Sequence, residues 1–382
     1  MGEHDRDHRL RDRHRDVPAP HRPYLPGRAV TVSRKVGTII GTAIGLAAAG
    51  TAFAVSRRRY DREPGEPLGR LRPDRTDTVI ADDGIELAVE EVDPADGGRP
   101  ELTVVFVHGF ALSRRSWHFQ RKALARLTEP RVRQVLYDHR SHGDSGRATE
   151  ASSTIDQLGR DLGEVLDKTA AGPVVLVGHS MGGMTIMALA EQRPELFADR
   201  VCGVAFVGTS AGEIGKSGLP RPLLSRYNPL TRGLGRLADW QPGMVELVRA
   251  AGGQLTRSAV RSLAFGSRDV SPALVDFLLE LLDATPVRVL ADFVDTLGTH
   301  NRYAALAGLK HTHVLVLSGD ADRMTAFSHA ERMAVELPDA ELVRVRGAGH
   351  MVMFEQPQLV NDHLVMLAQR CAYGKDRKWW RR

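Results

Sequence analysis

Cysteine is scarce in this chain, with two residues, Cys202 and Cys371, in 382. Two thiols cannot build a disulfide framework, and Cys202 lies inside the apolar run VCGVAFV, where a buried core thiol is expected, so a reducing compartment is permitted. Metal-ligand spacing is missing as well. His4, His8, His14 and His21 sit in a stretch of Arg, Asp, His and Pro at intervals that match no ligand cage, and neither a metal nor an organic cofactor is expected. The net charge is +5, yet the middle of the chain holds none of that excess. Residues 17–35, 57–75 and 375–382 carry +4, +3 and +4 and the first sixteen residues cancel, which leaves about −6 on the central body. Basic charge confined to the ends suits a membrane surface rather than a nucleic-acid groove, and no nucleic-acid partner is expected.

The rest of the composition is ordinary, with 42% hydrophobic and 26% charged residues, enough for a sizeable core. The length fits one large α/β domain with appendages. Residues 1–35 have almost nothing to bury and are expected to be a disordered tail. One long run is free of charge: Val36 to Val55, twenty residues flanked by Arg34-Lys35 and Arg57-Arg58-Arg59. Twenty helical residues span about 30 Å, the thickness of a bilayer core, so the run reads as a single transmembrane helix in contact with membrane lipid. The arginine cluster after it favours a cytoplasmic catalytic domain. Gly37, Gly41 and Gly45 lay a flat strip along one face, a candidate surface for self-association. A cleaved signal peptide ending at Ala52-Phe53-Ala54 is the competing reading, opposed by the arginines directly downstream. Residues 56–77 read as linker. The tail at 373–382 ends in KDRKWWRR, which suits a membrane interface and a disordered end equally.

Between residues 78 and 372 the pattern alternates. TVIADDGIELAVEEV turns at Asp83-Gly84 in a hairpin signal, and Leu102–Val107, Val132–Tyr137, Val174–Val177, Val201–Val207, Val314–Leu317 and Glu341–Val345 read as strands. Helical stretches separate them at Trp117–Leu127, Thr154–Thr169, MTIMALAEQ, Ala326–Leu337 and from Gln356 onward. Strands alternating with helices require a mostly parallel sheet flanked by helices on both faces. Residues 208–311 break the alternation with helical spacing only, and are expected to form a cap over the C-terminal edge of the sheet that supplies a substrate pocket.

The chain is organised around Pro173–Gly183, PVVLVGHSMGG. A β-branched run stops at Gly178 and a helix-forming stretch follows, so Ser180 sits on a strand-to-helix turn. Such a turn strains its central residue and is tolerated when the residues two before and two after lack a Cβ, as Gly178 and Gly182 do. This is the context in which G-x-S-x-G carries a nucleophile. A serine hydroxyl needs a base, and the base needs a group to fix its tautomer. His350, in the glycine-rich loop after the last strand, opens at the same end of the sheet and is the candidate base. For the acid, LVLSGDADRM offers Asp322 and Asp320; Asp322 is favoured because Asp320 directly follows Gly319 and can serve the turn. The backbone N–H groups of Met181 and Phe110 are the candidate oxyanion donors.

Through HGF at 108–110, DHRSHGDS at 138–145, GHSMGG at 178–183, GDAD at 319–322 and GAGH at 347–350, the chain resembles the α/β-hydrolase family. The resemblance implies the α/β-hydrolase fold, the Ser/His/Asp triad and the two-donor oxyanion hole. Ser141 stands where that family usually has glycine. Ser180 argues against dehalogenases and epoxide hydrolases of this fold, which carry Asp there, and the absence of HGGPG argues against proline iminopeptidases. The expected activity is hydrolysis of a carboxylic ester, with a lipophilic acyl ester as small-molecule substrate. Lipase, thioesterase, carbon–carbon bond hydrolase, cofactor-free haloperoxidase and a non-catalytic membrane-held binding protein are the alternatives.

Overall fold

The computed structural model describes residues 67–214 and 253–373. The expected transmembrane run 36–55, with its glycine strip, and residues 215–252 of the expected cap lie outside them. No helix among the described residues is long and apolar enough to cross a membrane.

Eight strands form one sheet: β1 (Arg75–Ile80), β2 (Glu86–Val92), β3 (Leu102–Val107), β4 (Val132–Tyr137), β5 (Val174–His179), β6 (Val201–Val207), β7 (His313–Gly319) and β8 (Glu341–Val345), in the spatial order β1-β2-β4-β3-β5-β6-β7-β8. β1 pairs antiparallel with β2, and β2 with β4; every later pairing is parallel. The burial of each strand follows from its place. β3, β5 and β6 run through the middle and are buried at every residue, which is why they read as unbroken apolar runs. β1 and β8 are edges and keep charged residues exposed, as edge strands must to avoid pairing with other chains.

Helices cover both faces. On one side α1 (His118–Leu124), α9 (Val352–Glu355) and α10 (Pro357–Tyr373) pack on Val104, Phe106, Val177 and Leu317. On the other, α2 (Ile155–Thr169), α3 (Met181–Gln192), α4 (Pro194–Asp199) and α8 (Phe327–Glu336) pack on Val105, Val107, Leu176 and Phe206. The alternation of Val104 and Phe106 with Val105 and Val107 is the two-residue period of a strand feeding two cores. Thr154 caps α2, its hydroxyl accepting from the Gln157 N–H. Between β6 and β7 come α5 (Gly253–Ala264), α6 (Pro272–Asp283) and α7 (Val287–Thr299). α7 lowers Val289, Phe293 and Leu297 onto Ile155, Leu158, Met181 and Met184.

Besides one- or two-residue shifts at β5, β7 and α8, two boundaries differ from the sequence reading in an instructive way. The linker expected through residue 77 ends earlier: Arg75 already pairs with Glu91 across β1 and β2, and its guanidinium also engages Asp93. Charge made this edge strand look like linker. The helix expected at Trp117–Leu127 begins as a 3-10 turn at Arg114–Trp117 and leaves α-helical form at Leu124, ahead of Pro130.

Candidate active site

Ser180 stands between β5 and α3 at φ +49°, ψ −116°. A Cβ on Gly178 would lie 2.7 Å from the Gly182 carbonyl group, and one on Gly182 would lie 2.1 Å from the Val107 carbonyl oxygen on the neighbouring strand. Strand, turn and helix therefore touch backbone to backbone, and only glycine permits it. As the first residue of α3, Met181 has an N–H with no partner inside the helix.

His350 follows β8 in the loop Gly347–Gly349. Its Nδ1 lies 2.9 Å from Asp322 Oδ2, with the histidine side chain 5% and the aspartate side chain 0% exposed. The backbone N–H groups of Met324 and Thr325 donate to Asp322 Oδ1 at 2.8 and 2.9 Å, and Thr325 Oγ1 lies 2.8 Å from Oδ2. Burial alone would raise this carboxyl; the charge and hydrogen bond of His350 and the two N–H donors bring it below the ordinary aspartate value. With Nδ1–H committed to Asp322, Nε2 of His350 is left with its lone pair. Asp320 turns elsewhere, accepting from the Gly347 N–H at 2.7 Å, a loop contact.

Ser180 and His350 line one cavity of about 240 Å³. Apart from His179, its other described walls are apolar: Phe110, Ala111 and Leu112 after β3, Val260, Leu263 and Ala264 from α5, Leu278 and Leu282 from α6, Leu290 from α7, and Met324 and Met351. Phe110 thus borders the same space as Ser180. His179 lies underneath, donating from Nε2 to the His350 carbonyl oxygen at 3.0 Å; burial drives its pKa down to about 3 and keeps it neutral.

The loop at 138–145 buttresses the site. Ser141 holds φ +64°, the left-handed conformation for which glycine is the easy residue, and its hydroxyl accepts from the Ala148 N–H. The sequence places His142 in this loop without its partner and does not single out Glu355. His142 accepts the Ala111 N–H at 3.2 Å. Glu355 gathers the N–H groups of Gly349 at 2.6 Å, Gly266 at 2.9 Å and Ser267 at 3.1 Å, joining the His350 loop to the end of α5. The sequence signals the helix around Glu355 but not the backbone groups it meets.

Residues 104–363 match the model of the alpha/beta hydrolase family. The chain belongs to that family. Among its relatives, the sn-1-specific diacylglycerol lipase ABHD11 of Mus musculus is 39% identical over 118 residues, 31% of this chain and 37% of that protein. The chain therefore spans little more than a third of this lipase. The 2-hydroxy-6-oxononadienedioate/2-hydroxy-6-oxononatrienedioate hydrolase of Cupriavidus pinatubonensis is 26% identical over 274 residues, 71% of this chain and 88% of that one. An esterase from Exiguobacterium antarcticum superposes with a TM-score of 0.61 at 17% identity, covering 76% of this hydrolase-family chain and 98% of its own, a likeness of fold.

Proposed function

We propose that this member of the family is a serine hydrolase that cleaves carboxylic esters with an apolar acyl group. The observation that carries the reading is the buried Asp322–His350 pair opening onto the same apolar cavity as Ser180. In the proposed cycle His350 Nε2 takes the Ser180 proton as Oγ attacks the ester carbonyl, and the Phe110 and Met181 N–H groups receive the oxyanion. His350 then hands the proton to the leaving alcohol, the acyl group stays on Ser180, and a water activated by His350 releases it as a carboxylic acid. Throughout, Asp322 holds the Nδ1–H tautomer and offsets the imidazolium charge.

The cavity also bears on the alternatives. A dienedioate substrate would require cations or several donors for its carboxylates, whereas among the described residues the cavity walls beyond His179, Ser180 and His350 are apolar. This favours the ester reading over carbon–carbon bond cleavage. A non-catalytic binding protein has no need of a satisfied acid beside the histidine. The decisive experiment is turnover of p-nitrophenyl esters of increasing chain length together with labelling by a serine-directed fluorophosphonate. Ser180→Ala should abolish both, and labelling that survives the change overturns the assignment. We also propose that residues 36–55 hold the enzyme at a membrane, the setting in which lipophilic esters concentrate. Deleting them should move the protein from the alkaline-washed membrane pellet to the supernatant.

A further inference from the structure

The backbone just beyond Phe110 is held from outside its own loop. Ala111 is a non-glycine residue at φ +58°, a conformation that persists only when its surroundings enforce it. Its N–H donates to His142 Nε2 at 3.2 Å, and that histidine is 1% exposed. A backbone N–H can only donate, so Nε2 carries no proton and Nδ1 does; Nδ1–H in turn donates to the Arg140 carbonyl oxygen at 3.0 Å. Arg140 is itself fixed, with two guanidinium nitrogens each 2.6 Å from the buried Asp161 carboxylate and a further pair of bonds to Asp83. The imidazole is boxed edge-on against Phe293 at 5.4 Å and lies 5.5 Å from the His108 ring. A neutral ring braced through Arg140 against α2 thus offers one lone pair to the loop that carries Phe110.

We infer that His142 is a positioning residue for the oxyanion hole: its Nε2 lone pair fixes the Phe110–Ala111 peptide and so restricts rotation at Phe110, whose own N–H, in the preceding Gly109–Phe110 peptide, is aimed at an ester bound at Ser180. The inference rests on the ester-hydrolase reading and adds to it a group that touches neither substrate nor Ser180. The sequence context gives the reason for a histidine here. It must present an acceptor at one end and a donor at the other across a rigid, buried span, a demand a neutral imidazole meets.

The test compares His142→Phe, which keeps a ring and removes both nitrogens, with His142→Gln, which keeps a carbonyl acceptor. With p-nitrophenyl butyrate, His142→Phe should lower kcat by about ten- to a hundredfold with little change in KM, less than the loss on deleting an oxyanion donor outright. The inhibition constant of phenylboronic acid, which forms a tetrahedral anion on a nucleophilic serine, should rise by a similar factor. His142→Gln should recover most of both. Equal losses in the two variants, or a kcat for His142→Phe within twofold of the unaltered protein, overturn the inference. Should His142→Phe fail to fold, hydrogen exchange in the unaltered protein decides: a strongly protected Ala111 amide supports the bond, and exchange at the rate of an open loop overturns it. Failure of the underlying reading looks different, because the unaltered protein would then neither hydrolyse the ester nor take up fluorophosphonate.

Discussion

Asp322 meets His350 through a 2.9 Å contact buried from water, while Asp320, two residues earlier in the same loop, spends its carboxylate on the Gly347 N–H. Two acids so close in sequence have separate tasks because the turn at Asp320–Asp322 sends their side chains apart. Asp322→Asn should therefore reverse the tautomer held at His350 and lower kcat by on the order of 10³- to 10⁴-fold. Asp320→Asn should keep kcat within a few-fold and show its effect as a lower melting temperature, since it loosens the loop without touching the base. Parallel kinetics and melts on the two variants check this, and a larger kcat loss in Asp320→Asn would exchange the roles.

Gly182 supplies a prediction about stability. A methyl group there would lie 2.1 Å from the Val107 carbonyl oxygen, and neither backbone can retreat because β3 is paired on both sides and α3 is packed on it. Gly182→Ala should destabilise by more than about 3 kcal/mol, at the upper end of single substitutions, or fail to yield soluble protein. Gly308→Ala is the matched control, since the nearest atom to its added carbon is 3.7 Å away. Similar melting temperatures for the two variants would refute the close-approach account.

Much of the sheet was legible from its β-branched and apolar runs: the central strands β3 and β6, buried at every residue, begin and end where their runs do, and β4 and β8 keep the expected bounds although they carry Arg133, Gln134, Glu341 and Arg344. The turn at Ser180 was legible for a related reason, since the two glycines that permit it lie within five residues. What escaped depends on contacts between distant segments. Nothing local ties Glu355 to Gly266, 89 residues away, or His142 to Ala111, 31 residues away. Arg75 misled because a charged residue on an edge strand carries the composition of a linker.

Acid should weaken the fold earlier than the carboxylates alone would dictate. Burial depresses five histidines: His139 and His179 to about 3, His142 and His300 to about 4, and His108 well below its ordinary value. The unfolded chain protonates these rings near pH 6.5, whereas the native protein holds them neutral down to about pH 4 or below, so between those limits the unfolded state binds more protons and stability falls with pH. Each ring costs roughly 1 kcal/mol per pH unit in that window. Melting temperature should be flat from pH 8 to 7 and drop progressively more steeply from pH 6.5 to 4.5; a flat profile over the lower range would contradict it.

Glu355 links the His350 loop to the wall of the cavity, because the segment that ends α5 supplies Val260, Leu263 and Ala264 to that wall and then Gly266 and Ser267 to the Glu355 carboxylate. Burial raises the pKa of this carboxyl and the three N–H bonds pull it back only in part. Glu355→Ala removes the acceptor of the part-buried Gly266 and Gly349 N–H groups, at a cost of roughly 1–3 kcal/mol, while the exposed Ser267 N–H can turn to water. The catalytic consequence should appear on both sides of the joint, as a kcat reduced about tenfold or more by loss of His350 placement and a KM that rises most for the longer acyl esters, which would reach the α5 wall of the cavity. Glu355→Gln keeps one carbonyl oxygen and should fall between. Steady-state kinetics across a p-nitrophenyl ester series check it, and a Glu355→Ala enzyme with unchanged kcat and an unchanged chain-length profile would show that the two loops are positioned without the clamp.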